Sequence, residues 1–172
     1  DRDGDEDLFI ANGHVKLYPS DATIAQWPIA LENKNGRFAK VNKSVGQYFT
    51  TAHKGRGIAS GDLDNDGDLD LVYSHINERS SVLINETTND NQWVSLRLIG
   101  QQSNRGAVGC VVTLFSDSQQ QVRQVKGGAS YASTNDARMF FGIPADQVVE
   151  KLIIRWPNGT EQTIESPRVN SG

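Results

Sequence analysis

The chain has 172 residues, of which 37% are hydrophobic, and carries a formal net charge of −4. This composition supports a hydrophobic core and excludes a disordered chain, while the clustered acidic residues repel phosphate and exclude nucleic acid as a partner. No apolar run approaches the roughly 20 residues of a membrane-spanning helix, so we expect no membrane insertion. The charged start Asp1-Arg2-Asp3 does not resemble a signal peptide. The single cysteine, Cys110, excludes an intramolecular disulfide and indicates a buried packing residue.

The N-terminal half contains an internal repeat. The run Asp-Gly-Asp-Glu-Asp from Asp3, followed by three apolar residues, returns 63 residues later as Asp-Gly-Asp-Leu-Asp from Asp66. This spacing holds about four short strands, which corresponds to one blade of a β-propeller. Between the copies, residues 29–33 and 37–41 flank an Asn-Gly pair, which predicts a β-hairpin.

Alternating apolar residues and frequent turn residues predict strands through the rest of the chain. The predicted strands are 69–75, 81–85, 93–98, 107–115, 121–126, 139–141, 148–156 and 160–164. Only residues 21–26 and 145–149 have a pattern compatible with a helical turn. The predicted fold class is all-β, with a partial β-propeller blade region at 1–90 and a C-terminal β-sandwich or barrel-like domain at 91–172.

The strongest chemical signal is the loop from Asp62 to Asp70, in which every second residue is aspartate. Calcium takes six to eight oxygen ligands, and alternating carboxylates converge on one point if the chain turns sharply, which Gly67 allows. An EF-hand is excluded because its twelfth position, here Tyr73, requires a glutamate between two helices. We predict a Ca²⁺ site whose ligands are the side chains of Asp62, Asp64, Asp66 and Asp70 and the backbone carbonyl of Asp68.

Residues 61–72, which read Gly-Asp-Leu-Asp-Asn-Asp-Gly-Asp-Leu-Asp-Leu-Val, resemble the FG-GAP (VCBS) repeat of integrin alpha-chain propellers and many exported bacterial proteins. The resemblance covers residues 1–90 and implies a calcium ion in the inter-strand loop of a blade. In the first copy, the metal-ligand positions are Asp1, Asp3, Asp5 and Asp7, which align with Asp64, Asp66, Asp68 and Asp70. The partner of Asp62 would precede residue 1, so we expect this first loop to bind calcium weakly or not at all.

Four further motifs lie in the second half of the chain, at residues 103–109, 121–128, 141–142 and 154–159. Together they resemble the ASPIC/UnbV domain, which follows FG-GAP repeats in the cartilage acidic protein-like family. The resemblance covers about residues 92–166. It implies an extracellular or periplasmic binding protein and supplies no catalytic centre.

The residues with catalytic potential form no recognised motif. His14, His53 and His75 are scattered and show no H-x-x-x-H spacing, so the sequence predicts neither a zinc site nor a general base. A carboxylate that coordinates calcium is a poor proton donor, which argues against a glycosidase pair in the acidic loops. We therefore expect no enzymatic activity.

Two functions remain open on the sequence alone. The first is a calcium-binding scaffold for binding or adhesion, extracellular or periplasmic, with a protein or glycan partner. The second is an accessory region of a secreted enzyme whose catalytic domain lies outside this chain. Three tryptophans could form a sugar-stacking platform, but their strand contexts favour core packing: Trp27, Trp93 and Trp156.

About one and a half blades cannot close a propeller, so strand edges are left unpaired. Two arrangements would cover these edges: a homodimer through the exposed strands, or the C-terminal domain packing on the sheet. The homodimer is favoured, because the exposed surface includes both strand edges and blade faces.

Overall fold

The computed structural model describes residues 1–16, 18–117 and 119–171. Every named strand pair is antiparallel, and one 3-10 helix, Gln47–Thr50, is the only helical element in the described ranges. The predicted all-β class is confirmed. The two segments with a pattern compatible with a helical turn, 21–26 and 145–149, are not helical: Ala25 forms an isolated bridge in the first, and the second is a non-helical turn.

The repeat region contains two three-stranded sheets, with strand orders β1-β2-β3 and β4-β5-β6. The strands are β1 (Leu8–Ile10), β2 (Ile29–Lys34), β3 (Arg37–Lys40), β4 (Gly55–Gly61), β5 (Asp70–His75) and β6 (Ser81–Leu83). The predicted hairpin is β2–β3, in which Lys34 pairs with Arg37 across a two-residue turn. Both turn residues have positive φ, 54° at Asn35 and 81° at Gly36, as a type I′ turn requires.

The two aspartate loops have matching backbones at the predicted spacing. Gly4 and Gly67 have φ of 96° and 90°, and the residues two positions before them, Arg2 and Asn65, have φ of 64° and 63°. Each loop leads into a strand, β1 or β5, that pairs with the next strand of its own sheet. The internal repeat is therefore a repeat of structure as well as of sequence.

The C-terminal region contains a four-stranded sheet of order β12-β11-β8-β9 and the strand pair β10-β7. The strands are β7 (Gln92–Leu96), β8 (Val111–Ser116), β9 (Gln120–Gln124), β10 (Met139–Ile143), β11 (Val149–Arg155) and β12 (Glu161–Glu165). Both sheets contribute to one buried core, for example through Phe141 and Leu152. Cys110 is fully buried, as predicted, and burial raises the pKa of its thiol.

A second, smaller core lies in the repeat region, where Ala30, Phe49 and Tyr73 are buried. The two cores lie on opposite sides of residue 90 in the sequence. The exact domain boundary at 90/91 stays a prediction.

The C-terminal region covers the outer edge of β4 with residues 129–138, which we call the edge loop. The Ser133 hydroxyl donates to the carbonyl of Ile58 at 2.6 Å. Ser60 uses both of its backbone groups: its N–H donates to Asn135 Oδ1 at 3.1 Å, and its carbonyl accepts from the N–H of Asp136 at 2.8 Å. The edge loop thus covers the edge of β4, which is the alternative to covering by a homodimer. The homodimer itself stays a prediction.

A second close contact joins the first aspartate loop to β10. A Cβ atom added at Gly142 would lie 2.6 Å from Arg2 Cα, which is closer than side chains tolerate. We expect Gly142→Ala to lower the free energy of unfolding by about 1–3 kcal/mol, because the backbone of Arg2 must move.

Urea unfolding checks this prediction, with Gly128→Ala as the matched control. Nothing lies within 4 Å of a Cβ added at Gly128. The control should therefore leave stability unchanged or raise it by less than about 1 kcal/mol. Equal effects of the two substitutions would show that the contact between Arg2 and β10 does not form.

Candidate metal centre

The loop of residues 62–70 connects the end of β4 to the start of β5. Because adjacent antiparallel strands fix the two ends of the loop, Asp62 and Asp70 are held at the sheet and lie almost fully inside, with 3% and 1% of their surface exposed. Gly67, at φ 90°, turns the chain between them. A Cβ at Gly67 would overlap the indole of Trp93, so the turn also packs against β7.

Three carboxylates of this loop lie close together. One oxygen from each of Asp62, Asp64 and Asp70 lies within 4.8 Å of the other two. Two oxygens bound to one calcium ion at about 2.4 Å are at most about 4.8 Å apart, so this spacing fits a shared calcium ion. The all-oxygen donor set suits a hard cation better than a transition metal.

The buried carboxylates are held by backbone donors. Asp62 Oδ1 accepts from the N–H of Asp66 at 3.1 Å, and its Oδ2 accepts from the N–H of Gly67 at 3.3 Å. Asp70 accepts from the N–H groups of Leu63 and Asn85 at 2.7 and 2.8 Å. These four hydrogen bonds fix the positions of both carboxylates within the loop.

The remaining two predicted ligand residues have other contacts. Asp66 lies outside the three-carboxylate group, and its Oδ1 accepts from the N–H of Asp68 at 2.8 Å. The Asp68 side chain is buried and turns to Arg2, with Oδ1 and Nε 3.1 Å apart as an ion pair. The predicted role of Asp68, through its carbonyl, does not need this side chain. Calcium coordination by these residues stays a prediction.

The pKa values of two carboxyl groups in the loop, Asp64 and Asp68, are raised. Burial raises the pKa of Asp68, and the neighbouring carboxylate of Asp66 adds to this effect against the opposing charge of Arg2. Local loss of hydration raises the pKa of Asp64, and repulsion by Asp66 and Asp70 raises it further. The loop therefore disfavours its own negative charge, and a bound dication would relieve this.

Arg138, from the edge loop, is a second positive group at this loop, beside Arg2. Its Nη2 donates to the carbonyl of Asp62 at 2.6 Å, and its Nη1 donates to Asn65 Oδ1 at 3.0 Å. It also pairs with Asp136 at 2.7 Å, and this pairing raises the pKa of Arg138. Burial alone would raise the pKa of Asp136, but hydrogen bonds from Arg138 lower it. Sequence reasoning missed Arg138 because its segment has no strand pattern or motif.

The first aspartate loop repeats part of this network. Asp3 Oδ1 accepts from the N–H of Asp5 at 3.1 Å, and Asp7 Oδ1 accepts from the N–H of Asn33 at 2.9 Å. These bonds correspond to those of Asp66 and Asp70. Burial and the charges of Asp3 and Asp7 raise the pKa of Asp5. Residues 1–7 are all described, and no three of their carboxylates come as close as those of the second loop.

The structure brings together residues that the sequence left scattered. His53 and His75 lie near Glu78, with one potential ligand atom of each within 4.8 Å of the others. The prediction of core packing is wrong for Trp27, which is 57% exposed. Trp156 packs, as predicted, against the C-terminal core.

The fold and these loops define a β-rich chain with repeated acidic turns. The family model of the FG-GAP-like repeat matches residues 1–73, and that of ASPIC and UnbV matches residues 100–172. The chain therefore carries an FG-GAP-like repeat region followed by an ASPIC/UnbV region, as the sequence motifs indicated. These two regions characterise an extracellular-type, β-rich module. No curated protein matches the chain in a sequence comparison.

We predict that Arg138→Lys lowers the free energy of unfolding by about 1–3 kcal/mol, because an ammonium group cannot reproduce the three-way guanidinium contacts. The lowered pKa of Asp136 means that its stabilising contribution is present above the ordinary aspartate pKa of about 4 and is lost as the pH falls through the lowered value.

Urea unfolding at pH 7 and at acidic pH measures both effects. The matched control is Arg155→Lys, which makes the same change at an exposed position on β11. An equal loss of stability in the two variants would contradict a specific role for Arg138.

Proposed function

We propose that the chain is a calcium-binding scaffold for extracellular binding or adhesion, with its metal site in the loop of residues 62–70. The observation that carries this proposal is the convergence of three carboxylate oxygens, from Asp62, Asp64 and Asp70, within 4.8 Å. The hydrogen-bonded frame around Asp62 and Asp70 supports it, since the frame holds two of the three carboxylates in place.

The role of the ion in this proposal is structural. The ion would hold the β4–β5 connection, which contacts Trp93 and Arg138 of the C-terminal region. Calcium is abundant outside cells, so a weak site of this kind would be filled there without regulation.

Secretion to an extracellular or periplasmic compartment is part of the same proposal. FG-GAP repeats are typical of extracellular proteins, and the FG-GAP-like match covers residues 1–73. Within the described ranges, no helix is long and apolar enough to cross a membrane. The proposed partner is a protein or a glycan, and the proposed activity is binding without catalysis.

The calcium site is tested with Asp64→Asn. Asp64 is the exposed member of the three-carboxylate group, so its substitution leaves the buried frame intact. Calcium at 100 times its dissociation constant should stabilise the wild type by about 2.7 kcal/mol, and the variant should bind calcium roughly tenfold more weakly. In chelator, the variant should melt no lower than the wild type, because repulsion by Asp66 and Asp70 is relieved.

Melting curves with excess calcium and with chelator provide the measurement. Asp146→Asn removes one exposed negative charge from the C-terminal region and should retain the full calcium response. Identical melting curves of the wild type in calcium and in chelator would contradict the proposed function.

The first aspartate loop gives a separate prediction. Because its carboxylates are not gathered as in the second loop, calorimetric titration with calcium should give one site per chain. Asp7→Asn should leave the calcium affinity of this site unchanged, whereas Asp70→Asn, the corresponding change in the second loop, should abolish it. Two sites of equal affinity would contradict this prediction.

A further inference from the structure

A second cluster of metal-ligating side chains lies at the other end of the β4–β5 pair. His53 precedes β4 by two residues, His75 ends β5, and Glu78 lies in the turn that leads to β6. The aspartate loop joins the opposite ends of the same strands. The six residues of β5 separate the two clusters by about 17 Å, so they do not share an ion.

The backbone fixes all three residues. His53 exchanges two hydrogen bonds with Gln26, at 2.8 and 2.9 Å. The N–H of Ile76, next to His75, donates to the carbonyl of Lys54 at 3.0 Å. Glu78 Oε2 accepts from the N–H of Lys54 at 3.1 Å. The pairing of β4 with β5 and these hydrogen bonds therefore bring the three side chains together.

The ring of His75 is oriented for coordination. Its Nδ1 lies 2.7 Å from the carbonyl of Arg79, which only accepts hydrogen bonds, so Nδ1 carries the proton. In the neutral ring, Nε2 then presents a lone pair, which accepts from the Tyr48 hydroxyl at 2.8 Å. Histidine ligands of metals are commonly held in this way, with the second ring nitrogen bonded to a carbonyl or carboxylate.

Only one of the two ring nitrogens of His53 has a hydrogen-bond partner in the described structure. Its Nδ1 lies 2.6 Å from Glu78 Oε1, whereas its Nε2 is buried and has no hydrogen-bond partner in the described structure. The ring also stacks on Tyr48, with centroids 4.2 Å apart. Buried polar atoms normally have partners, so the present network leaves one buried ring nitrogen unused.

We propose that His53, His75 and Glu78 form a binding site for a divalent transition-metal ion of the zinc class. Two imidazoles and one carboxylate are a donor set that zinc uses, and nitrogen donors disfavour calcium. The Glu78 side chain is 33% exposed, which provides an entry path and room for the ligands to close on the ion. The two imidazoles coordinate in their neutral form and Glu78 as the carboxylate, and water completes the coordination.

Titration of the full chain with Co²⁺ tests this site, in excess Ca²⁺ so that the aspartate loops do not compete. We expect one bound Co²⁺ per chain with the visible absorption of a low-coordinate nitrogen and oxygen site, displaced by Zn²⁺. His75→Gln and Glu78→Gln should each weaken Co²⁺ binding by at least about tenfold.

The matched control is His14→Gln. His14 also has a carboxylate neighbour, Asp21 at 3.4 Å, but it is not part of the three-residue cluster. This variant should bind Co²⁺ like the wild type. Absence of Co²⁺ binding at submillimolar concentration, or an equal loss in His14→Gln, would overturn the proposal.

Glu78→Gln keeps the test decisive if His75→Gln does not fold, because Glu78 lies in an exposed turn outside the core. An unchanged Co²⁺ affinity in a folded Glu78→Gln protein would also overturn the proposal. The result is independent of calcium binding, which involves a different end of the sheet.

Discussion

The loop between β4 and β5 holds several negative charges close together, and some of these carboxylates are buried away from water. Asp62 and Asp70 are almost fully buried, and one carboxylate oxygen of each lies within 4.8 Å of the other and of an oxygen of Asp64. Like charges this close repel most strongly where they are buried, because little water screens them. One arginine cannot balance three such charges. The fixed backbone frame keeps them together nevertheless, which is the physical basis for expecting a dication there.

The negative charge of the aspartate loop is partly balanced by arginines that link the repeat region to the C-terminal region. Arg138, which partly balances the loop, comes from the C-terminal region, and Arg2, which pairs with Asp68, lies against Gly142 of β10. Electrostatic balance in the repeat region therefore depends on how the C-terminal region packs. Occupation of the metal site and docking of the two regions are expected to stabilise each other, since both act on the β4–β5 connection.

Local patterns of sequence predicted local structure well. The type I′ hairpin at Asn35 and Gly36 and the matching loop backbones at Gly4 and Gly67 follow from turn chemistry, which depends on neighbouring residues only. Contacts between distant segments were not predictable in this way. Arg138 lies 76 positions from Asp62, the carbonyl of which it binds, and nothing in its own segment indicates that contact.

The histidine cluster could not be predicted for the same reason, because its residues come from different segments of the chain. His53 and His75 are brought together by the pairing of β4 with β5, whereas a search for motifs of fixed spacing considers one segment at a time. Their neighbour Glu78 follows His75 by three residues, but in a turn instead of on a helix. The prediction for Trp27 is wrong for a different reason: this residue precedes β2 and lies in no named strand, so strand alternation does not determine its burial.

The contacts of the edge loop also bear on how the chain behaves at high concentration. Ile58 and Ser60 present backbone groups on the outer side of β4, and the edge loop satisfies them partly through the side chains of Ser133 and Asn135. Side-chain contacts of this kind are easier to lose than a full strand ladder. Any change that detaches the loop would leave β4 as an open template for strands of other molecules, so the first sign of damage would be aggregation instead of unfolding.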